Sequence, residues 1–313
     1  MMTMLPHKSH WINYAFSAMF QAKCYLGRCK CTSLVYSGLF PFFQNSRDSV
    51  SNAFRYALPF EQIEDPRGWT VDIFQRYWYH TITISILYFA TVKGIQHLME
   101  NRKPFSLKTT LLVWNSALAV FSILGFIRFS EDFFQSIYKN GVYRTLCYSC
   151  HPNDVAAFWS LLFAISKIIE LGDTLFIVLR KKPLIFLHYY HHVAVLIYTV
   201  HSGAEHAAPG RVFITMNYFA HSVMYTYYAL AAYGLRMPKW VSMCVTTIQT
   251  AQMLAGVGVS YAVYRIKTET SLPCQQSMVN LYLAFLIYVT FAVLFLHFFY
   301  RAYIARSAKS KTQ

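Results

Sequence analysis

Acidic residues are scarce in this 313-residue chain: 13 Asp and Glu stand against 28 Lys and Arg. Charged residues of both signs make up only 13% of it, about half the share of an ordinary soluble domain. That shortage excludes a globule with a conventional charged rind. No Asn-x-Ser/Thr triplet occurs, so N-glycosylation cannot report on topology. No Gly-x-Ser-x-Gly elbow occurs, which leaves a serine nucleophile without its usual frame. Within the apolar runs His-x-x-His is found once, and a di-iron centre needs roughly eight nitrogen or carboxylate ligands. The ligand supply falls short.

What the chain has instead is apolar: 56% hydrophobic and 18% aromatic residues. Seven runs reach the length needed to cross a bilayer, near 81–99, 110–127, 155–179, 184–200, 212–235, 241–264 and 279–304. The reading is an all-α, polytopic membrane protein: an N-terminal extension over 1–76, a seven-helix domain over 77–304 and a short tail over 305–313. The formal charge of +15 sits in the short connections rather than in a nucleic-acid patch. One alternate set carries Arg102, Lys103, Lys108, Arg180, Lys181, Lys182, Arg236 and Lys239, with Arg301, Arg306, Lys309 and Lys311 in the tail. The other has Arg128, Lys139, Arg144, Arg211, Arg265 and Lys267, twelve against six. The positive-inside rule puts the first set and the C-terminus in the cytosol, and the N-terminus outside. The extension, with eight Lys or Arg, fits that rule poorly. Its apolar patches 11–20 and 34–43 suit a surface segment or a leader better than a span.

Cys24, Cys29 and Cys31 cluster in the extension without a second pair, so a zinc site is not expected. Cys147 and Cys150 follow the second run and Cys274 precedes the seventh, both on the non-cytosolic side where disulfides persist. A Cys147–Cys274 bridge is one pairing; Cys150 is the competing partner.

Ionisable groups inside a membrane span are costly and mark functional sites. His188, His191 and His192 are spaced i, i+3 and i+4, hence on one helical face. Lys167, Glu170 and Asp173 follow at intervals of three on the preceding run, where a carboxylate could orient an imidazole of the His cluster. The fifth run adds Asn217, His221, Met224, Tyr225 and Tyr228 along one face, and the sixth adds Thr246, Gln249 and Gln252. Taken singly, each stripe also suits packing, as a structural ion pair or as amides bridging helices. Four polar faces together enclose a polar chamber with apolar walls, sized for a fatty chain. Imidazole can act there as a nucleophile toward a thioester. A proton-coupled transporter could use the same groups, although no inverted repeat with interrupted spans is visible.

The order and spacing of Lys167-x-x-Glu170-Leu171-x-Asp173-Thr174, His188-x-x-His191-His192, Asn217-x-x-x-His221-x-x-Met224-Tyr225-x-Tyr227-Tyr228 and Thr246-x-x-Gln249-x-x-Gln252 resemble the signature boxes of the ELO fatty-acid elongases. The similarity runs from about Tyr77 onward. Tyr189-Tyr190 inside the His box is similar to the branch acting on saturated and monounsaturated chains. The resemblance implies a 3-ketoacyl-CoA synthase of the endoplasmic reticulum membrane that joins acyl-CoA to malonyl-CoA without a cofactor. It implies seven helices, six forming an inverted barrel around a closed acyl tunnel. Implied partners are membrane lipid, a 3-ketoacyl-CoA reductase, a dehydratase and an enoyl reductase, with a homo-oligomer left open and no nucleic acid. Lys309-x-Lys311 is similar to a dilysine retrieval signal. On this reading His191 attacks the acyl thioester, and His221 shares that role or binds malonyl-CoA. His188, His192 or Asn217 stabilise the enolate, and Glu170 and Asp173 hold the imidazole tautomers. Lys167, Tyr225, Tyr228, Gln249 and Gln252 line the substrate chamber, and Arg236 and Lys239 meet the CoA phosphates.

Overall fold

A computed structural model describes residues 57–61, 73–152 and 154–305. The cysteine cluster and apolar patches of the extension, and the Lys309-x-Lys311 motif, lie outside the described residues. After a 3₁₀ turn at Pro59–Glu61, eight α-helices follow in order. They are α1 (His80–Met99), α2 (Lys108–Cys147), α3 (Val155–Ile169), α4 (Gly172–Leu179), α5 (Phe186–Glu205), α6 (Gly210–Tyr233), α7 (Lys239–Glu269) and α8 (Met278–Phe299), which runs on into a π-turn at Tyr300–Ala305. Among the described residues there is no strand.

Prolines punctuate this order. Pro209 and Pro238 stand immediately before α6 and α7, where a missing N–H costs nothing. The Ser277 hydroxyl caps α8 by accepting from the Asn280 amide at 3.1 Å. Gly234, at φ +115°, closes α6 in a conformation that a side chain would resist. Gly141, at φ +76°, kinks α2 near its end.

Among the described residues three helices are long and apolar enough to cross a membrane: His80–Met99, Lys108–Cys147 and the continuous Met278–Ala305. Their outward faces are apolar, with Ile86, Leu87, Val113, Ile127, Leu286 and Val293 all exposed. Such surface belongs in lipid, and the protein is a membrane protein. Helices α5, α6 and α7 are long enough too, but carry histidines, Asn217, Gln249 and Gln252. The run 155–179, expected as one helix, divides at Glu170–Leu171. There the amides of Leu171, Asp173 and Thr174 bond three residues back, to Ile168, Glu170 and Leu171. This 3₁₀ step turns the helix more tightly and shifts its register.

Neighbour packing closes a circuit: α2 on α3, α3 on α5, α5 on α8, α8 on α7, α7 on α6, and α6 back on α2. Helix α1 packs against α4 and α5. Two residues without room for a methyl group mark close helix approaches, Gly125 under the Tyr218 ring and Gly256 under the Tyr288 ring. At one end Cys147 and Cys274 are disulfide-bonded, with a Cα separation of 4.3 Å. Cys150 is a buried free thiol, pushed up to about 12 by burial. Its carbonyl oxygen accepts from Nε2 of His206 at 3.0 Å.

Candidate active site

The register shift at Glu170 decides what each acidic residue meets. Lys167, one turn earlier on α3, donates to both Glu170 oxygens at 2.8 and 3.1 Å. Its third bond goes across to α6, to the Asn217 carbonyl oxygen at 2.9 Å. With that oxygen committed, the Asn217 amide presents its NH₂ to Nε2 of His221, 3.3 Å away. The ring proton of His221 therefore sits on Nδ1, and Nδ1 lies 3.7 Å from the Glu170 carboxylate. Lys167, Glu170, Asn217 and His221 form a closed loop of alternating donors and acceptors. All four are buried. Ionised groups are tolerated there because each is paired and hydrogen-bonded.

Asp173 turns toward α6 as Glu170 does, one turn further along, but among the described residues no hydrogen bond joins it to an imidazole. Its two oxygens accept from the Trp114 indole of α2 at 2.6 Å and from the Tyr225 hydroxyl of α6 at 2.7 Å. Gly172 makes this approach possible, since a Cβ there would stand 2.8 Å from the Trp114 ring. The expectation that a carboxylate orients the His cluster of α5 is corrected. Glu170 meets His221 of α6, and the nearest polar partner of His188 is the Thr174 hydroxyl, 2.9 Å from Nε2.

On α5 the three histidines share a face, as their spacing requires. The His188 and His192 rings lie 4.5 Å apart, and His191 packs at a tilt against Phe291 of α8, with ring centroids 4.7 Å apart. Among the described residues no hydrogen bond reaches the buried Nδ1 of His191. His188, His191, His192, His221, Asp173, Tyr225, Tyr228 and Gln249 all line one cavity of ≈ 680 Å³. Gln249 also reaches the Met224 sulfur at 3.0 Å. Lys108, Arg180 and Lys182 line the same cavity. Arg236 and Lys239, expected at this mouth, are not among its lining residues; the basic residues that line it are Lys108, which opens α2, and Arg180 and Lys182, between α4 and α5.

A second cavity, ≈ 150 Å³, has walls that include Phe129, Phe163, Ala164, Val195, Phe213 and Phe291. Asn217 and Gln252 line it rather than the histidine cavity, so Gln252 and Gln249 serve different chambers. Phe291 forms part of its wall and also packs against His191, so the apolar chamber adjoins the histidines. Among the described residues no three His, Cys, Asp or Glu side chains converge as a metal site requires.

Residues 73–311 match the GNS1/SUR4 (ELO) family. A relative from Caenorhabditis elegans, provisionally named fatty acid elongase 4, is 67% identical over 82% of this chain and 88% of its own. Very long chain fatty acid elongase 6 of Drosophila melanogaster is 40% identical over 82% of both chains. Very long chain fatty acid elongase 3 of Homo sapiens is 39% identical over 77% of this chain and 88% of its own. The chain belongs to the ELO family.

In this ELO chain the sequence motifs converge, although they occupy two adjoining chambers and not one. Four features have roles in the site that the sequence alone did not assign. Trp114 and Thr174 act through hydrogen bonds made only once α2, α4 and α5 pack. Tyr88 of α1 is drawn in through Thr174 at 2.7 Å. The basic set Lys108, Arg180 and Lys182 was legible only as topology signal, because its convergence depends on where α2, α4 and α5 begin and end.

Proposed function

We propose that this ELO protein is the condensing enzyme of fatty-acid elongation, a 3-ketoacyl-CoA synthase. One observation carries the reading: an unpaired imidazole, His191, lines a chamber with a basic margin at Lys108, Arg180 and Lys182, and backs onto an apolar one. An acyl-CoA has that same polarity, anionic at one end, a thioester between, and a hydrocarbon tail. The names of the relatives, fatty acid elongases, agree. Neither they nor the geometry favour a di-iron hydroxylase or a transporter.

His191 is the nucleophile in this mechanism. A ring lone pair attacks the thioester carbonyl, the C–S bond breaks, and CoA leaves as the free thiol after taking a proton. His221 suits a different role, because Nδ1–H points at Glu170 and its one lone pair, on Nε2, accepts from Asn217. It orients and polarises. Malonyl-CoA then loses CO₂, and the electrons of the broken C–C bond form an enolate, which donors from His188 and His192 stabilise. The enolate attacks the acyl-imidazole, the C–N bond breaks, His191 recovers its lone pair and 3-ketoacyl-CoA departs. The reaction balances with no cofactor. Water exclusion by the apolar walls protects the acyl-imidazole from hydrolysis.

The circuit of six helices supports the inverted barrel, with α1 outside it and α3–α4 counted as one crossing, which makes seven. Basic residues at the histidine end support a cytosolic mouth by the positive-inside rule, and with it a disulfide end in the lumen of the endoplasmic reticulum. The reductases and dehydratase of the elongation cycle are the partners this product requires. The test is expression in microsomes with a panel of acyl-CoAs and labelled malonyl-CoA. Labelled 3-ketoacyl product supports the reading, and His191→Ala given acyl-CoA alone should release no CoA. Normal release would remove His191 from the covalent role.

A further inference from the structure

Tyr88 sits on α1, outside every motif that points to the site. Its hydroxyl lies 2.7 Å from the Thr174 hydroxyl, and that oxygen lies 2.9 Å from Nε2 of His188. Tyr88 and Thr174 are both buried, and Thr174 is the one hydrogen-bond partner of the Tyr88 phenol among the described residues. A threonine hydroxyl carries a single proton to share between two neighbours. Its oxygen could also accept from both neighbours, but its own proton would then have no acceptor among the described residues, which leaves two arrangements. Either the phenol donates to Thr174 and Thr174 donates to Nε2, or Nε2–H donates to Thr174 and Thr174 donates to the phenol oxygen. The second strands the phenol proton in a buried place with no acceptor, a costly outcome. The first leaves nothing unsatisfied.

We propose that Tyr88, acting through Thr174, is a positioning residue that locks His188 in the Nδ1–H tautomer. A fixed tautomer gives His188 one donor, Nδ1–H, with which to meet a developing oxyanion. Free exchange between tautomers would leave that donor absent from part of the population. The inference rests on the condensing reading for its catalytic consequence, and only on the hydrogen-bond chain for the tautomer itself.

Two measurements test it. In the condensation assay, Tyr88→Phe and Thr174→Val should each lower kcat about tenfold, the scale at which partners of an essential imidazole act, with KM for acyl-CoA within about twofold. The double variant should be no slower than Thr174→Val alone, because both changes cut one chain. Thr174→Ser keeps the hydroxyl and should restore kcat. Second, ¹⁵N shifts of histidine-labelled protein in detergent should show Nδ1–H for His188 in the wild type and a mixture in Tyr88→Phe. Unchanged kcat in Tyr88→Phe, or effects that multiply in the double variant, overturns the proposal. So does an Nε2–H signal in the wild type. If the wild type makes no 3-ketoacyl product at all, the condensing reading fails while the ¹⁵N measurement still decides the tautomer.

Discussion

Asn217 joins Lys167 to His221: its oxygen accepts from the ammonium at 2.9 Å while its nitrogen stands 3.3 Å from the imidazole. A side chain that could be read as packing glue thus sets which nitrogen of His221 carries the proton. An aspartate in its place would keep the acceptor for Lys167 but remove the donor for Nε2. Asn217→Asp is expected to lower kcat by about 10- to 100-fold, with the folded protein retained. A wild-type rate in single-turnover condensation would show that the His221 tautomer does not matter.

Lys167 contributes differently. Its charge is enclosed by Glu170, Asn217 and the Phe163 ring, whose centroid is 4.4 Å from Nζ. Lys167→Met leaves the Glu170 carboxylate buried and uncompensated, at a cost of about 3–5 kcal/mol. The double change Lys167→Met with Glu170→Gln removes both charges and should recover most of that stability. Thermal unfolding in detergent reads both; a double variant no more stable than the single one would mean that the ion pair is not the origin of the loss.

Much of this arrangement is legible in the sequence, and the parts that are not share a cause. The i, i+3, i+4 histidines fall on one face because a helix permits nothing else, and α5 is an uninterrupted helix. The same arithmetic does not show the 3₁₀ step at Glu170, after which Asp173 takes Trp114 of α2 as a partner besides Tyr225 of α6. Contacts between helices distant in the chain leave no periodic trace: Trp114 with Asp173 and Tyr88 with Thr174 are separated by 59 and 86 residues. Which basic residues line the histidine cavity, Lys108, Arg180 and Lys182 rather than Arg236 and Lys239, likewise depends on how α2, α4 and α5 pack, which a linear charge pattern does not record.

The basic lining should govern affinity rather than chemistry. Lys108→Ala, Arg180→Ala and Lys182→Ala are each expected to raise KM for acyl-CoA by up to about fivefold, the effect of losing roughly 1 kcal/mol of solvent-screened attraction. Their kcat should stay within about twofold. Raising the ionic strength should weaken the wild type in the same direction. Equal effects from Arg236→Ala and Lys239→Ala would restore those residues to the mouth.

The Cys147–Cys274 bond closes a loop across 127 positions and ties the end of α2 to the segment entering α8. The Gln275 amide reinforces it by donating to the Cys147 carbonyl at 2.9 Å. In the chain-entropy account a loop of that order restrains the unfolded chain by about 4–5 kcal/mol. Cys147→Ser with Cys274→Ser should lower the thermal midpoint, and reductant should then have no further effect. Retention of the wild-type midpoint would show that helix packing alone holds this end together.

Acid sensitivity is expected at Glu61, which lies outside the spans. Burial on its own would raise its carboxyl, but Arg128 at 2.7 Å, the Trp159 indole N–H at 2.8 Å and the Leu58 amide at 2.9 Å outweigh burial and hold it below the usual carboxylate value. A carboxyl depressed on folding stabilises the native state fully above its unfolded value, about pH 4.3 for glutamate. That contribution is lost as pH falls through the depressed folded value, because the unfolded chain then binds the extra proton. The thermal midpoint of the wild type should therefore decline as pH is lowered from about 5 toward about 3. Glu61→Gln is expected to have a lower midpoint at neutral pH and a shallower decline over that interval, its side chain having no proton to gain. Parallel curves for the two proteins would show that the Pro59–Glu61 turn is not fastened to α2 and α3 through this carboxylate.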